Sequence, residues 1–450
     1  NNVADSSLRE TTSCSFCARL AAFLKRVRAA EASPSRFFCH SLLKRALVTS
    51  RTMLACSVRA LLRKGPSGNT KRSTAARTRS YSTATAHHEV VSKHDGRVGI
   101  LTLNRPKALN SLNLEMIDQI TATYKKWDVD SNVRVVLLKS DDHKAFCAGG
   151  DVRALYKAGK ENLPLKTQFF IHEYQLNHLI HTLQKPHVAL IDGITMGGGA
   201  GLSVHGHFVI ATENTKFAMP EVGIGFTPDV GGSHFLSRLP HGFGSYLALT
   251  GRSLVGSDVK AAGIATHFIH SSRLPAVIET LKSATHNSYY DYDQALKVFE
   301  DASPQNVDGW ASVITPNFTL IDRCFSGKAS VANIVKALEA EKNEFAKETL
   351  KTLHTVSPSA VHVAHELVKR GATLSLADCL QMEYTVVQRA LMGTEFYEGV
   401  RAALIDKDRN PKWKPTSLSA VSPDFVASQF EPIEGLAPIP IDTTRKHVRS

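Results

Sequence analysis

Val188-Ala-Leu-Ile-Asp192-Gly193-Ile-Thr-Met196-Gly197-Gly198-Gly199-Ala-Gly201-Leu-Ser203 runs an apolar strand into a glycine cluster and then into an apolar, helix-like segment. A helix start offers unpaired N–H groups aimed at an anion, and glycine lets backbone approach a ligand with no Cβ in the way. Upstream, Ala145-Phe146-Cys147-Ala148-Gly149-Gly150-Asp151 makes a second glycine turn after the apolar run Arg134–Lys139. Two such turns on separate elements are what an oxyanion hole requires: N–H groups converging on an oxygen that gains charge as its carbon becomes tetrahedral. Neither turn is sufficient alone. A lone glycine cluster is more often tight packing, and this one has neither the dinucleotide-binding nor the P-loop spacing.

Around these turns, short apolar runs at Val98–Leu103, Arg134–Lys139, Val188–Ile191 and Phe208–Ala211 read as strands alternating with helical segments, an α/β order. Ser111 is placed to cap a helix whose Ile117, Ile120, Tyr124 and Trp127 recur at helical spacing. Beyond about residue 270 strand signals fade. Val331–Leu350 and Ser359–Lys369 read as amphipathic helices, Gly309–Thr319 as a loop, and Pro411-Lys-Trp-Lys-Pro415 as the end of the helical section. The expected organisation is a front segment at 1–81, a core at 82–270, a helical region at 271–415 and an irregular tail at 416–450.

The 450-residue chain has a formal net charge of +13, and its placement matters more than its size. Residues 1–88 hold 16 Lys/Arg against three acids, Asp5, Glu10 and Glu31, so the remainder balances to neutrality. A uniformly basic, phosphate-tracking surface is not indicated, so nucleic acid is not an expected partner. The front segment is rich in Arg, Ser, Ala and Leu and lacks an apolar run of about 18 residues, so it reads as a mitochondrial presequence and not a membrane span. Within it Met53 opens an amphipathic stretch in which Leu54, Val58, Leu61 and Leu62 share one face, a candidate true start. Arg79-Ser80-Tyr81 resembles a matrix processing signal that leaves Ser82 first. Of seven cysteines only Cys147, Cys324 and Cys379 follow this segment, too few and too dispersed for a disulfide framework or a zinc set. His172-Glu173 and His365-Glu366 lack the second histidine of a zinc protease motif. His205-Gly-His207 reads as strand packing, and no metal or resident cofactor is expected.

The two glycine turns, in this order and separation, resemble the crotonase superfamily. That resemblance implies a spiral of ββα units followed by a mainly helical C-terminal region. It assigns the N–H groups of Gly150 and Gly198 to an oxyanion hole for an acyl-CoA thioester, with CoA part of the substrate. Enoyl-CoA hydratases of the family carry one catalytic Glu three residues after the second oxyanion glycine, where this sequence has Gly201. Their other Glu corresponds to Glu221, and a further acid stands at Asp229 in Phe226-Thr-Pro228-Asp229-Val-Gly231-Gly232. Together with Glu398-Gly-Val-Arg401, Asp406, Asp408 and Pro411-Lys-Trp413, the pattern from about Val98 to Pro415 resembles the branch that hydrolyses 3-hydroxyisobutyryl-CoA.

The resemblance to that branch implies Glu221 and Asp229 as catalytic, and Glu173, Gly198, Glu221 and Asp229 as substrate-contacting. It further implies 3-hydroxypropionyl-CoA as a second substrate, valine degradation as the setting, and the mitochondrial matrix as the place. Asn104-Arg105-Pro106-Lys107 is placed like the family's nucleotide-side loop. The plain alternative for Glu173 is a pairing with a neighbouring His or Lys. Two other readings stand beside the hydrolase: an enoyl-CoA hydratase or isomerase, opposed by Gly201, and a structural component of mitochondrial ribosomes. A homo-oligomer stays open, since the C-terminal helices can cover their own subunit or exchange with a neighbour.

Overall fold

The computed structural model describes residues 88–283, 288–301 and 314–446. The import segment expected at 1–81, the start at Met53, the cut before Ser82 and residues 309–313 of the 309–319 loop lie outside them. Of that loop, Thr315–Asn317 forms a 3-10 turn and Phe318 begins a helix.

Among the described residues ten strands form two sheets: β1 (Val90–Asp95), β2 (Val98–Leu103), β3 (Val135–Ser140), β4 (Ala145–Cys147), β5 (His187–Ile191), β6 (Ile194–Met196), β7 (Phe208–Ala211), β8 (Lys216–Ala218), β9 (Leu254–Val255) and β10 (His267–Phe268). The larger sheet runs β1-β2-β3-β5-β7-β10 and the smaller β4-β6-β8-β9. Each of the pairs β3/β4, β5/β6 and β7/β8 places its first strand in the large sheet and its second in the small one, and helical segments follow, as a ββα spiral requires. The apolar runs of the large sheet are continuous because both faces are covered. Leu101, Val136, Leu138 and Ala189 point into the main core. Ile100, Val135, Leu137 and Val188 point to the opposite face, against Val277, Leu281, Tyr292 and Leu296.

The small sheet positions the chemistry. β4, β6 and β8 are parallel neighbours, so their carboxyl ends lie side by side and release Ala148–Gly150, Gly197–Gly198 and Met219–Glu221 at one edge. Crevices beyond the carboxyl ends of parallel strands are where such sheets bind ligands.

Three local expectations change. The helix Leu114–Val129 is capped by Asn113, whose side chain accepts from Met116 N at 2.8 Å, and not by Ser111. The Ser111 hydroxyl instead donates to Ala108 O, and the next residue, Leu112, bridges to Gly150, which holds this stretch extended. The segment Val331–Leu350 is two helices, Val331–Ala340 and Glu344–Thr355, because Asn343 caps a second start through Ala346 N. The tail read as irregular contains a short helix, Pro423–Ser428, and is tied down by Arg445 to Asp128, by Gln175 to Pro440 O and by Gln381 to Ile439 N.

In the C-terminal region the helix Glu395–Val400 lies on the 3-10 turn Glu221–Ile224. Backbone touches backbone there. A Cβ at Gly399 would strike the carbonyl of Ile224, and one at Gly225, whose φ is +68°, would strike that of Glu395. The distal acidic stretch is the clasp that holds this contact. Arg401 binds both Glu398 oxygens at 2.8 and 2.9 Å and Asp406 and Asp408 at 2.7 Å each, while Lys412 N donates to Glu398 and Lys414 N to Glu395. Gly399→Ala is expected to lower unfolding stability by about 1–3 kcal/mol, the usual cost of overpacking. Urea titration of the variant against the unsubstituted protein checks it.

Candidate active site

Gly149, Gly150, Glu173, Gly197, Gly198, Glu221 and Asp229 meet around one cavity of about 160 Å³. Its remaining walls are mainly apolar, with Leu155, Phe169, Phe170, Ile224, Phe226 and Phe396. Every residue singled out from the sequence as a site residue is therefore in one place. The glycines are required by close approach: a Cβ on Gly198 would stand 2.5 Å from Glu173 Oε1 and 3.4 Å from Gly150 N, and one on Gly197 would stand 3.0 Å from Glu221 Oε1. The Gly150 amide and Gly198 thus lie close together, with Glu173 against Gly198 and Glu221 against Gly197. Neither donates to an acceptor among the described residues.

Glu173, Glu221 and Asp229 are 2%, 7% and 6% exposed, which for acids without a cationic partner is unusual. Burial pushes Glu173 well above the ordinary carboxylate range, and the nearby charges of Asp229 and Glu221 push it further. Glu221 is likewise raised well above that range, first by burial and then by Asp229. Burial lifts Asp229 to about 7, tempered by the Tyr174 hydroxyl, which donates to its Oδ2 at 2.8 Å. Three mutually repelling buried carboxyls around one cavity do not all ionise near neutral pH. Glu173 Oε1 and Glu221 Oε2 are buried without a hydrogen-bond partner. The plain reading of Glu173 as an ordinary ion pair fails, since the adjacent His172 turns outward to Asp118 at 2.6 Å.

Several functional neighbours were not read from the sequence. Phe170, Tyr174 and Asn177 share a face of the helix Leu165–His181, a spacing that was visible but reads as plain packing. Asn177 is fully buried, and together with Val230 it fills the space beside Gly201: a Cβ there would lie 2.7 Å from both Asn177 Nδ2 and Val230 Cβ. Glu383, on the helix Leu376–Met392, is buried among Cys379, Leu380, Val386 and Val387. It accepts from Gly231 N at 2.7 Å, Ser233 N at 2.8 Å and Ser233 Oγ at 2.5 Å, and burial raises it to about 8. These bonds hold the turn after Asp229, where Val230 takes a left-handed φ of +52°, strained for a β-branched residue. His205 joins the support through Nε2 and Val230 O at 2.7 Å, whereas His207 stacks on Tyr289 at 4.4 Å.

In the expected nucleotide-side loop Arg105 is already engaged, with Glu89 at 3.1 Å, Asp151 at 3.0 Å and Ser111 O at 2.9 Å, and Lys107 is the exposed cation. Among the described residues no group of three His, Cys, Asp or Glu could hold a metal ion, and no helix is long and apolar enough to cross a membrane.

Two glycine turns from parallel strands with buried acids beside them are the arrangement that the resemblance to the crotonase superfamily implies, and the comparisons show that family. The family described as enoyl-CoA hydratase/isomerase matches residues 98–430, and the chain belongs to it. Its relatives include proteins named 3-hydroxyisobutyryl-CoA hydrolase, mitochondrial. The Danio rerio protein is 46% identical over 78% of this chain and 91% of its own length. The corresponding figures are 48%, 74% and 86% for Xenopus laevis, and 42%, 77% and 89% for Homo sapiens. Among solved structures, a carnitinyl-CoA dehydratase from Mycobacterium thermoresistibile matches with a TM-score of 0.71 and 37% identity, over 79% of this chain and 99% of that one. An enoyl-CoA hydratase from Rhodobacter sphaeroides 2.4.1 matches with a TM-score of 0.68 and 35% identity, over 77% and 98%.

Because Asp229 holds its proton to about pH 7 in the fold and only to about 4 when unfolded, the native state binds more protons between those values, and stability falls as pH rises through that window. Asp229→Asn is therefore expected to be more stable than the unsubstituted protein at pH 8, by about 1–3 kcal/mol. The gain should shrink toward pH 4, as followed by urea unfolding at the two pH values.

Proposed function

We propose that this chain hydrolyses 3-hydroxyisobutyryl-CoA, and 3-hydroxypropionyl-CoA beside it, to the free hydroxy acid and CoA, in the mitochondrial matrix as a step of valine breakdown. The observation that carries the choice of hydrolysis is the filled space at Gly201. The solved neighbours bear dehydratase and hydratase titles, but here Asn177 and Val230 occupy the room a carboxylate side chain at position 201 would need. The second acid of the cavity is instead Asp229, held by Tyr174.

In this reading the Gly150 and Gly198 N–H groups polarise the thioester carbonyl, each donor worth about 3–4 kcal/mol of barrier. Glu221 supplies the nucleophile, either by taking a proton from water or by attacking the carbonyl itself. In the first route hydroxide adds to the carbon, the tetrahedral intermediate collapses with cleavage of the C–S bond, and the thiolate takes up the proton Glu221 acquired. Glu173, kept protonated by burial and its two neighbours, stays beside the oxyanion site without adding a second negative charge. Asp229, with one oxygen fixed by Tyr174, accepts the 3-hydroxyl of the substrate. A buried acceptor left unpaired penalises the analogue without that hydroxyl. The small, mainly apolar cavity suits a short branched acyl group.

Glu221→Gln should reduce CoA release from 3-hydroxyisobutyryl-CoA by roughly 10²–10⁴-fold with the fold intact by circular dichroism; turnover near that of the unsubstituted protein would overturn the assignment. With Glu221 and Asp229 both required ionised and both raised by burial, kcat/KM should rise with pH to a midpoint no lower than about 7. Tyr174→Phe removes a bond that favours the charged carboxylate, so that midpoint should move upward, as a pH–rate profile will show.

A further inference from the structure

Behind the acyl cavity lies a second, larger one of about 350 Å³, on the far side of the loop that carries Glu221 and Asp229. Phe226 is the one residue lining both. Its ring is buried, with centroids 6.1 Å from Phe170 and 5.3 Å from Phe396. Beyond the ring the walls mix apolar Ala360, Val363, Val386 and Ala390 with polar Arg389, Glu395, Lys414 and Gln429, together with Ser359, whose Oγ is buried and unpartnered. The cavity reaches the surface at Met392 and Phe425, both exposed. The other aromatic walls of the acyl cavity have packed side chains near them: Phe170 contacts Tyr174, and Phe396 contacts Tyr397. Phe170 and Phe396 line the acyl cavity alone, so removing either enlarges that cavity, whereas removing the Phe226 ring is expected to join the two spaces.

We propose that Phe226 is a specificity-determining partition, which ends the acyl pocket at short hydroxyacyl groups and excludes longer 3-hydroxyacyl-CoA thioesters whose chains the space behind it would hold. The proposal rests on the acyl-CoA reading of the site. An aromatic ring is a stiff wall, and the flanking rings of Phe170 and Phe396 restrict the two torsions of this one.

The test compares Phe226→Ala, Phe226→Leu and Phe170→Ala. Calorimetry measures affinity for S-butyl-CoA and S-octyl-CoA, thioethers that cannot be hydrolysed. Thiol release measures turnover of 3-hydroxyisobutyryl-CoA and 3-hydroxyoctanoyl-CoA. The expected result is a rise of about tenfold or more in the octyl-to-butyl affinity ratio for Phe226→Ala, a smaller rise for Phe226→Leu, none for Phe170→Ala, and a parallel rise in the turnover ratio. An unchanged ratio in folded Phe226 variants, or an equal rise in Phe170→Ala, overturns the partition. Should Phe226→Ala not fold, Phe226→Leu decides by the same criterion. Failure of the unsubstituted protein to release CoA from 3-hydroxyisobutyryl-CoA would refute the proposed function separately, because the thioether affinities read the partition without catalysis.

Discussion

Burying Glu173, Glu221 and Asp229 around two unpaired amides is the constraint on which the rest of the site depends. A carboxylate taken out of water without a cation is costly, and the described structure offsets that cost only in part. Tyr174 supports Asp229, while Glu173 and Glu221 each keep a buried oxygen unpaired. The same arrangement holds protons on some members of the group near neutral pH, so that acid and base forms coexist in one cavity. A polar cavity with three solvated acids would be more stable and would do less.

Such a site needs rigid surroundings, and the C-terminal helices provide them. Glu383 holds the turn after Asp229 with three hydrogen bonds across some 150 residues of sequence. The helix Glu395–Val400 presses on the turn of Glu221 and brings Phe396 into the cavity wall, and Arg401 fastens it through three acids. Those acids hold the Arg401 side chain in one place, with Glu398 down at about 2 through its bond to that guanidinium. The distal motif that resembles the hydrolase branch therefore acts at a distance: it shapes the cavity without entering it.

How much of this was legible follows from which forces are local. The glycine turns could be read because close backbone approach allows only glycine, and the apolar strands because both faces of the large sheet are covered. Glu221 and Asp229 were found through their resemblance to family motifs rather than through any property of an isolated acid. Glu383 and Asn177 were not found, since a polar residue on an apolar helical face is ordinary until its partner from a distant element is known. The misplaced cap at Ser111 has a similar cause, for it is the bridge from Leu112 to Gly150 that makes Asn113 the first residue free to cap.

Gly201 shows how packing decides which side chains a position beside the cavity can hold. Loss of a carboxylate at that position would by itself leave a hole, and holes in a core are costly. Here the hole is closed from two directions, by Asn177 on the helix Leu165–His181 and by Val230, which reaches it because its backbone is left-handed. The conformation that lets Val230 fill the gap is held by His205 and Glu383, and it belongs to the same turn that delivers Asp229. The packing that leaves no room for a side chain at 201 and the placement of Asp229 thus depend on one turn. Restoring Glu at position 201 alone would meet Asn177 and Val230 at once, so a return to the hydratase arrangement requires rebuilding the turn and not a single substitution.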